Sequence, residues 1–109
     1  MTTELQDGVV TINGVQLHHT SGGAGNAETI VMVHAGICDR RMWAAQMEHF
    51  VERYRVVSFD MRGFGQTQLV AGEFALHEDL RGLLDALAID KAWLLACSMG
   101  GMVAIDMTL

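Results

Sequence analysis

The sequence predicts an α/β fold, in which helices cover both faces of a sheet. One observation is the nearly continuous β-branched run Thr29-Ile30-Val31-Met32-Val33, which is typical of a strand buried on both faces. A second is that later apolar runs alternate with segments whose apolar residues recur at helical spacing. The chain has 109 residues and half of them are apolar, which is enough for one domain with a modest core.

Five strands are expected. The first two should form a hairpin, because Asn13-Gly14 is a strong turn signal between two short apolar runs. The other three are short apolar runs, each followed by small or polar residues. A glycine-rich stretch, residues 21–26, is expected to be a flexible loop between the hairpin and the third strand. The predicted strands are 9–12, 15–19, 29–33, 55–59 and 92–96.

Three helices are expected between and after these strands. Their apolar residues recur at the spacing that places side chains on one helix face. Gly82 lies within the second helix and should cost it about 1 kcal/mol relative to alanine. Asp106 should lie on the solvent side of the third helix. The predicted helices are 40–51, with Trp43, Met47, Phe50 and Val51 on one stripe; 76–87, with five leucines; and 99–109.

Charge and cysteine content narrow the function classes. The formal net charge of −6 disfavours nucleic acid and anionic membranes as partners, since both call for a basic face. Cys38 and Cys97 are better explained as reduced thiols than as a disulfide framework. The first residues have neither a basic nor an apolar targeting region, and no apolar run approaches the length of a membrane span. A cytoplasmic location is therefore expected.

The first of three unusual loops, His34-Ala35-Gly36-Ile37-Cys38-Asp39, directly follows a buried strand. Its small residues would let backbone N–H groups turn toward a ligand, as in one half of an oxyanion hole. A tight strand-to-helix turn would use the same residues, so the loop alone leaves both interpretations open.

The second loop, Asp60-Met61-Arg62-Gly63-Phe64-Gly65-Gln66-Thr67, contains a Gly-x-Gly pair. A dinucleotide fingerprint would need glycine or alanine at position 68, which is Gln68, and a helix opening at once. A Walker motif would need Gly-Lys-Ser or Gly-Lys-Thr. We therefore interpret this loop as structural, with Asp60 and Arg62 bracing it while Gly63 and Gly65 make turns.

The third loop surrounds Ser98, in Leu94-Leu95-Ala96-Cys97-Ser98-Met99-Gly100-Gly101-Met102. An apolar run meets a serine with small residues two places away on each side, and a helical pattern follows. This is the layout of a nucleophile elbow, with Ala96 in place of the usual first glycine and Gly100 as the second. Cys97 is expected to point into the core, and Met32, Met99, Met102 and Met107 are expected to fill it.

Together the three loops resemble the α/β-hydrolase fold family, in its order and spacing and after the matching strands. The similarity is greatest to esterase-like and lactonase-like members with His-Ala-Gly, Asp-x-Arg-Gly-x-Gly-x-Ser/Thr and Gly-x-Ser-Met-Gly-Gly motifs, and it covers residues 9–109. The resemblance implies the N-terminal part of a doubly wound α/β-hydrolase sheet, with about five strands and three helices. Residues 1–109 would form a single partial domain that lacks the family's C-terminal strands and lid.

The resemblance also implies roles for individual residues. Ser98 matches the nucleophile, and the backbone N–H groups of Met99 and Gly36 match the oxyanion hole. His34 matches a histidine that supports its loop, and Gly100 completes the elbow. An aspartate nucleophile, as in the haloalkane dehalogenase branch, is disfavoured. The family triad runs Ser, then Asp or Glu, then His. All five histidines precede Ser98, so we expect no catalytic acid or base in this chain.

The resemblance implies a serine hydrolase that acts on an ester, lactone or related acyl bond of a small molecule through an acyl-enzyme, without metal or cofactor, and that is incomplete in this chain. A cofactor-free haloperoxidase or a C–C bond hydrolase on the same scaffold is the main alternative. The third hypothesis is a catalytically inactive fragment or interaction module. The last predicted strand would leave an apolar sheet edge unpaired, and a complementing chain or a second copy of this one is the partner expected there.

Overall fold

The computed structural model describes residues 4–24 and 26–109, so residue 25 of the predicted glycine-rich loop lies outside the described residues. It contains the expected sheet of five strands and three α-helices. None of the described helices is long and apolar enough to cross a membrane. The strands are β1 (Leu5–Ile12), β2 (Val15–Gly22), β3 (Thr29–Val33), β4 (Arg55–Phe59) and β5 (Trp93–Ala96); the helices are α1 (Ala44–Phe50), α2 (Leu76–Ala86) and α3 (Met99–Thr108).

The predicted hairpin is confirmed. β1 and β2 pair antiparallel about the Asn13-Gly14 turn, and both turn residues have positive φ, at 49° and 82°. These angles suit a two-residue hairpin turn. The ladder extends to the pair Leu5 and Gly22, further than the sequence predicted, because backbone pairing continues through polar residues that carry no clear alternating pattern.

The strand order is β1-β2-β4-β3-β5, and β3 pairs in parallel with both β4 and β5. Val33 at the end of β3 lies opposite Phe59 at the end of β4 and Ala96 at the end of β5. The carboxyl ends of three strands therefore meet at one edge of the sheet, and the three loops singled out in the sequence leave from that edge.

Helices pack on both faces of the central strands. On one face, Trp43, Met47 and Val51 of α1 and its flanks cover Met32 and Val56. On the other face, α2 and α3 pack over the strands through the buried residues Leu80, Leu83 and Val103, which share one cluster with Val31, Val33, Val57 and Phe59. Gly82 lets α2 approach β1, since a Cβ at this position would lie 2.6 Å from Cγ2 of Ile12.

The first predicted helix differs from the structure at its start. Residues Arg40–Trp43 form a 3₁₀ turn, and the α-helix begins only at Ala44. One local and one long-range hydrogen bond hold this turn. The carboxylate of Asp39 accepts the N–H of Arg41, and that of Asp60 accepts the N–H of Arg40.

β5 is less covered than the sequence predicted. Trp93 and Leu95 share the sheet face of Ile30 and Met32, their partners on β3, but Trp93 is 66% exposed. The expectation that Cys97 points into the core is wrong, since its side chain is exposed at the end of this edge strand. Met102 is also exposed, whereas Met32 is buried as expected. The face of β5 that carries Trp93 and Leu95 is open because α1 packs on β3 and β4, and no other described helix covers it.

Candidate active site

The nucleophile elbow predicted at Ser98 has an unusual backbone. Ser98 has φ 54° and ψ −119°, a region that residues with a Cβ seldom occupy and that costs of the order of 1–3 kcal/mol. Its neighbours hold it there: the N–H of Cys97 donates to the carbonyl of Val33 at 3.2 Å, and the N–H of Gly100 donates to Cys97 at 2.9 Å. The Ser98 side chain is exposed, and no described residue hydrogen-bonds to its hydroxyl.

Gly100 allows the first turn of α3 to lie directly on the end of β3. A Cβ at this position would overlap the carbonyl oxygens of Val33 and His34. Those atoms are backbone and cannot rotate away. The contact between helix and strand therefore requires a residue without a side chain two places after Ser98.

Gly36 lies against Met99, the residue after Ser98. A Cβ on Gly36 would be 3.1 Å from Sδ and 3.3 Å from Cβ of Met99. Neither the Gly36 N–H nor the Met99 N–H donates to any described residue. The Met99 N–H also stands at the amino end of α3, where the helix dipole favours negative charge. Both N–H groups are thus without a hydrogen-bond acceptor among the described residues.

His34 is fully buried and both of its ring nitrogens are engaged. Nε2 accepts the N–H of Met61 at 2.9 Å, which places the ring proton on Nδ1, and Nδ1 donates to the carbonyl of Ala35 at 2.8 Å. The ring also packs edge-on against Phe64. His34 therefore links the loop after β3 to the loop after β4, and both of its ring nitrogens are occupied by hydrogen bonds.

Asp60 is a buried acceptor at the start of the loop after β4, with 1% of its side chain exposed. Its carboxylate accepts the N–H of Arg40 at 2.8 Å, the Arg40 guanidinium, and the N–H of Gln66 at 2.9 Å. Gly65, at φ 53°, passes so close that a Cβ there would overlap this carboxylate. The buried carboxylate of Asp60 therefore requires a residue without a side chain at position 65. Arg40 is a partner of Asp60 that the sequence did not reveal.

Residues 28–108 of this chain match the family described as alpha/beta hydrolase fold. The chain belongs to the α/β-hydrolase fold family. The resemblance inferred from the three loops is thereby confirmed, and so is the prediction of an N-terminal portion of the family's sheet.

Named relatives differ in their reactions. The 3-oxoadipate enol-lactonase 1 of Acinetobacter baylyi is 39% identical over 85 residues, which cover 76% of this chain and 32% of that protein. The 2-hydroxy-6-oxononadienedioate/2-hydroxy-6-oxononatrienedioate hydrolase of Paraburkholderia xenovorans is 36% identical over 103 residues, which cover 87% and 35%. Epoxide hydrolases are also similar to this chain. The chain spans about a third of the length of these curated relatives.

Solved structures of the family have the same arrangement of strands and helices. The enol-lactonase from Burkholderia xenovorans is 32% identical to this chain and superposes with a TM-score of 0.84. The match covers 92% of this chain and 40% of that one.

Arg62 joins the loop after β4 to α2, through a partner that sequence reasoning missed. Its Nε and Nη2 donate to the two carboxylate oxygens of Asp79 on α2, at 3.0 and 3.1 Å, and both side chains are almost fully buried. Nη2 also donates to the carbonyl of Asn13, and the guanidinium lies 4.7 Å from the ring centre of Phe74. One feature of the sequence could have indicated this pair: Asp79 is a charged residue directly before Leu80, which belongs to the leucine stripe of α2.

Several ionisable groups near the carboxyl edge have shifted pKa values. Hydrogen bonds from Arg41 lower the pKa of Asp39 to about 2, and Asp39 in turn raises the pKa of Arg41. Burial lowers the pKa of His19, and the nearby charge of Arg40 adds to this effect. His19 Nδ1 has no hydrogen-bond partner among the described residues. These shifts favour a neutral His19 and an ionised Asp39.

Two cavities lie at opposite ends of the sheet. One of about 390 Å³ is lined by charged residues of the loops after β3 and β4, among them Arg40 and Asp60. A larger one of about 590 Å³ lies at the amino ends of β3 and β5, beside Lys91 and Trp93. Neither cavity is lined by Ser98, Gly36 or Met99. Strand polarity, not cavity size, therefore indicates the site, since ligands of open α/β sheets bind at the carboxyl ends of the strands.

Proposed function

We propose that this chain carries the nucleophile and oxyanion hole of a serine hydrolase that cleaves an ester, lactone or related acyl bond of a small molecule. The observation that supports it most is the strained backbone of Ser98 beside the two unpaired N–H groups of Gly36 and Met99. The similarity to an enol-lactonase over three quarters of the chain favours a lactone or ester over other substrates.

In the proposed reaction, Oγ of Ser98 bonds to the acyl carbon and gives its proton to a base. The electron pair of the carbonyl π bond moves to the oxygen, which becomes an oxyanion between the N–H groups of Gly36 and Met99. When the tetrahedral species collapses, the bond to the leaving oxygen breaks and that oxygen takes up the proton. Water then adds to the acyl-enzyme by the same steps, and the acid product and free Ser98 are formed.

The base and its carboxylate partner are expected from outside residues 1–109. The family order places both after the serine. Within the described residues, His34 has both nitrogens engaged, and His18, His19, His49 and His77 all precede Ser98. We propose that the base and acid come either from sequence following Leu109 in the same protein or from a second chain.

A fluorophosphonate probe tests this proposal, because the serine oxygen displaces fluoride and forms a stable bond to phosphorus only when a base activates it. The complete protein that contains this chain should be labelled at Ser98, and Ser98→Ala should abolish labelling. Cys97→Ala is the matched control at the neighbouring position and should label normally. The isolated chain 1–109 should label weakly or not at all. Rapid stoichiometric labelling of the isolated chain would refute the expectation that residues 1–109 lack a catalytic base. A complete protein that is not labelled would refute the serine mechanism.

A C–C bond hydrolase is the second candidate, favoured by the similarity to the 2-hydroxy-6-oxononadienedioate/2-hydroxy-6-oxononatrienedioate hydrolase. A cofactor-free haloperoxidase shares the same serine motif and stays an alternative. Three assays on the same preparation separate these reactions. The first substrate is a lactone, and the second is a vinylogous 1,5-diketone. The third assay supplies hydrogen peroxide, halide and an organic molecule that can be halogenated. A preference for the lactone of at least tenfold in kcat/KM is expected; a preference for the diketone would favour the second candidate.

The non-catalytic alternative is supported by the exposed apolar side chains of the edge strand, Trp93 and Leu95. A partner that adds a strand there would bury them, whether a complementing chain or a second copy. We expect the isolated chain to be poorly soluble or to lack fixed tertiary packing. A sharp cooperative melt from a monomer, measured by near-ultraviolet circular dichroism and light scattering, would contradict this expectation.

A further inference from the structure

The oxyanion loop, defined as residues 34–39, is tied to the loop after β4 at both of its ends. At its start, His34 accepts the N–H of Met61. Just past its end, the N–H and the guanidinium of Arg40 both donate to the carboxylate of Asp60. Between these ties, the N–H of Cys38 donates to the carbonyl of Ala35, and the N–H of Ala35 meets the thioether sulfur of Met42. Gly36 packs against the side chain of Met99 but makes no hydrogen bond to a described residue. The hydrogen bonds that join this loop to the loop after β4 are thus those at its two ends.

Arg40 is the more extended of these ties. Its Nε donates to Oγ1 of Thr20 on β2 at 2.9 Å, and its Nη2 donates to Oε1 of Gln66 at 2.9 Å. With the Asp60 contacts, one side chain joins β2, the oxyanion loop and the turn of the loop after β4. The planar guanidinium of arginine holds its five N–H donors in fixed directions, which suits three acceptors on different elements. The Arg40 side chain is only 11% exposed, so these bonds are largely shielded from water.

The neighbouring Arg41 is a natural contrast. Its side chain is 87% exposed, and its side-chain hydrogen bonds all go to Asp39, two residues away. Both arginines carry the same charge, and they follow the oxyanion loop directly in the sequence. Of the two, Arg40 connects the end of that loop to β2 and to the loop after β4, and the side chain of Arg41 bonds to Asp39.

We propose that Arg40 is a positioning residue of the hydrolase reaction: through Asp60 it fixes the Gly36 N–H next to the Met99 N–H. This inference rests on the proposed function. The oxyanion exists in the transition state and not in the bound substrate, so the geometry of its two donors affects kcat more than KM. Complete loss of one such donor lowers kcat about 100- to 1,000-fold. A displaced donor should cost less, about 10- to 100-fold.

The test uses the complete protein with three variants, Arg40→Met, Arg40→Lys and Arg41→Met. Arg40→Met should lower kcat by about 10- to 100-fold with KM within about threefold of wild type. Its affinity for a trifluoromethyl ketone, which forms a tetrahedral oxyanion on Ser98, should fall by the same factor as kcat/KM. Arg40→Lys should recover part of the loss, since it keeps one bond to Asp60. Arg41→Met should leave all three quantities unchanged.

Different results overturn different claims. A wild-type protein that neither labels at Ser98 nor hydrolyses esters and lactones overturns the proposed function, and the positioning role with it. Two results overturn the positioning role alone, provided that the wild-type protein is active. One is an Arg40→Met variant with the kcat of wild type. The other is an Arg41→Met variant whose kcat falls as far as that of Arg40→Met. If Arg40→Met loses activity but binds the trifluoromethyl ketone as tightly as wild type, the role in oxyanion geometry is wrong. The melting temperature of each variant identifies any that fails to fold, and Arg40→Lys then decides the matter.

Discussion

Gly100→Ala and Gly101→Ala, two identical changes at adjacent positions of α3, should have opposite effects. Both replace glycine in a helix, and each gains up to about 1 kcal/mol of helix propensity. At Gly101 the new methyl group meets no atom outside its own helix within 4 Å, so no steric overlap offsets the gain in helix propensity. At Gly100 it overlaps the carbonyl oxygens of Val33 and His34. The propensity gain is common to both variants, so the difference between their stabilities isolates that overlap.

The overlap should lower the free energy of unfolding by about 1 to 3 kcal/mol, the usual range for an added methyl group in a packed core. We expect a value near the upper end of this range, because backbone atoms must move. Gly101→Ala should therefore be as stable as wild type or slightly more so, and Gly100→Ala less stable than Gly101→Ala by about this amount. To relieve the overlap, the start of α3 must move away from β3, carrying Ser98 and Met99 with it. A displacement of about 1 Å at a reacting group can cost about 100-fold in rate.

Urea unfolding of the complete protein measures the first effect, and the rate of fluorophosphonate labelling at Ser98 measures the second. Gly100→Ala should unfold at lower urea and label at least tenfold more slowly than Gly101→Ala. Equal stability and equal labelling of the two variants would refute the reasoning that the elbow glycine is required by helix–strand contact.

Two further predictions concern charge pairs. Arg62→Met should cost about 3 to 5 kcal/mol of unfolding free energy, because it leaves the buried carboxylate of Asp79 without its cation. The double variant Arg62→Met with Asp79→Leu should recover part of that loss in urea unfolding; an additive loss would contradict the pairing. Asp39 caps the 3₁₀ turn and its pKa is lowered to about 2 by Arg41. It should stabilise the fold fully above its unfolded pKa near 4 and lose that contribution as the pH falls through 2. Asp39→Asn should remove this acid-dependent step, and an NMR titration of the carboxyl with a midpoint near 4 would contradict it.

Much of the fold was predictable because its signals are local. The hairpin at Asn13-Gly14 depends on two adjacent residues with positive φ, and the strand Thr29–Val33 is a run of side chains that suit burial on both faces. Ser98 was predictable for the same reason, since its elbow needs small residues at fixed offsets. The pairing of the Gly36 loop with the elbow followed from the resemblance and from parallel strands that end at one edge.

Other features were decided only by packing between distant parts of the chain. Asp79 is 17 residues from Arg62, and Arg40 is 20 residues from Asp60. Such pairs depend on the crossing of a helix over a sheet and on the register of β3 against β4, which no local pattern specifies. Cys97 and Met102 were assigned to the core from their apolar character, yet Cys97 is exposed at the end of the edge strand β5, and Met102 is exposed on α3. The strands, the helices and the sharp turn at Ser98 could therefore be predicted from the amino-acid sequence, since each is specified by neighbouring residues. The pairing of buried charges and the exposure of one apolar face of β5 could not, because both depend on how the elements pack against one another.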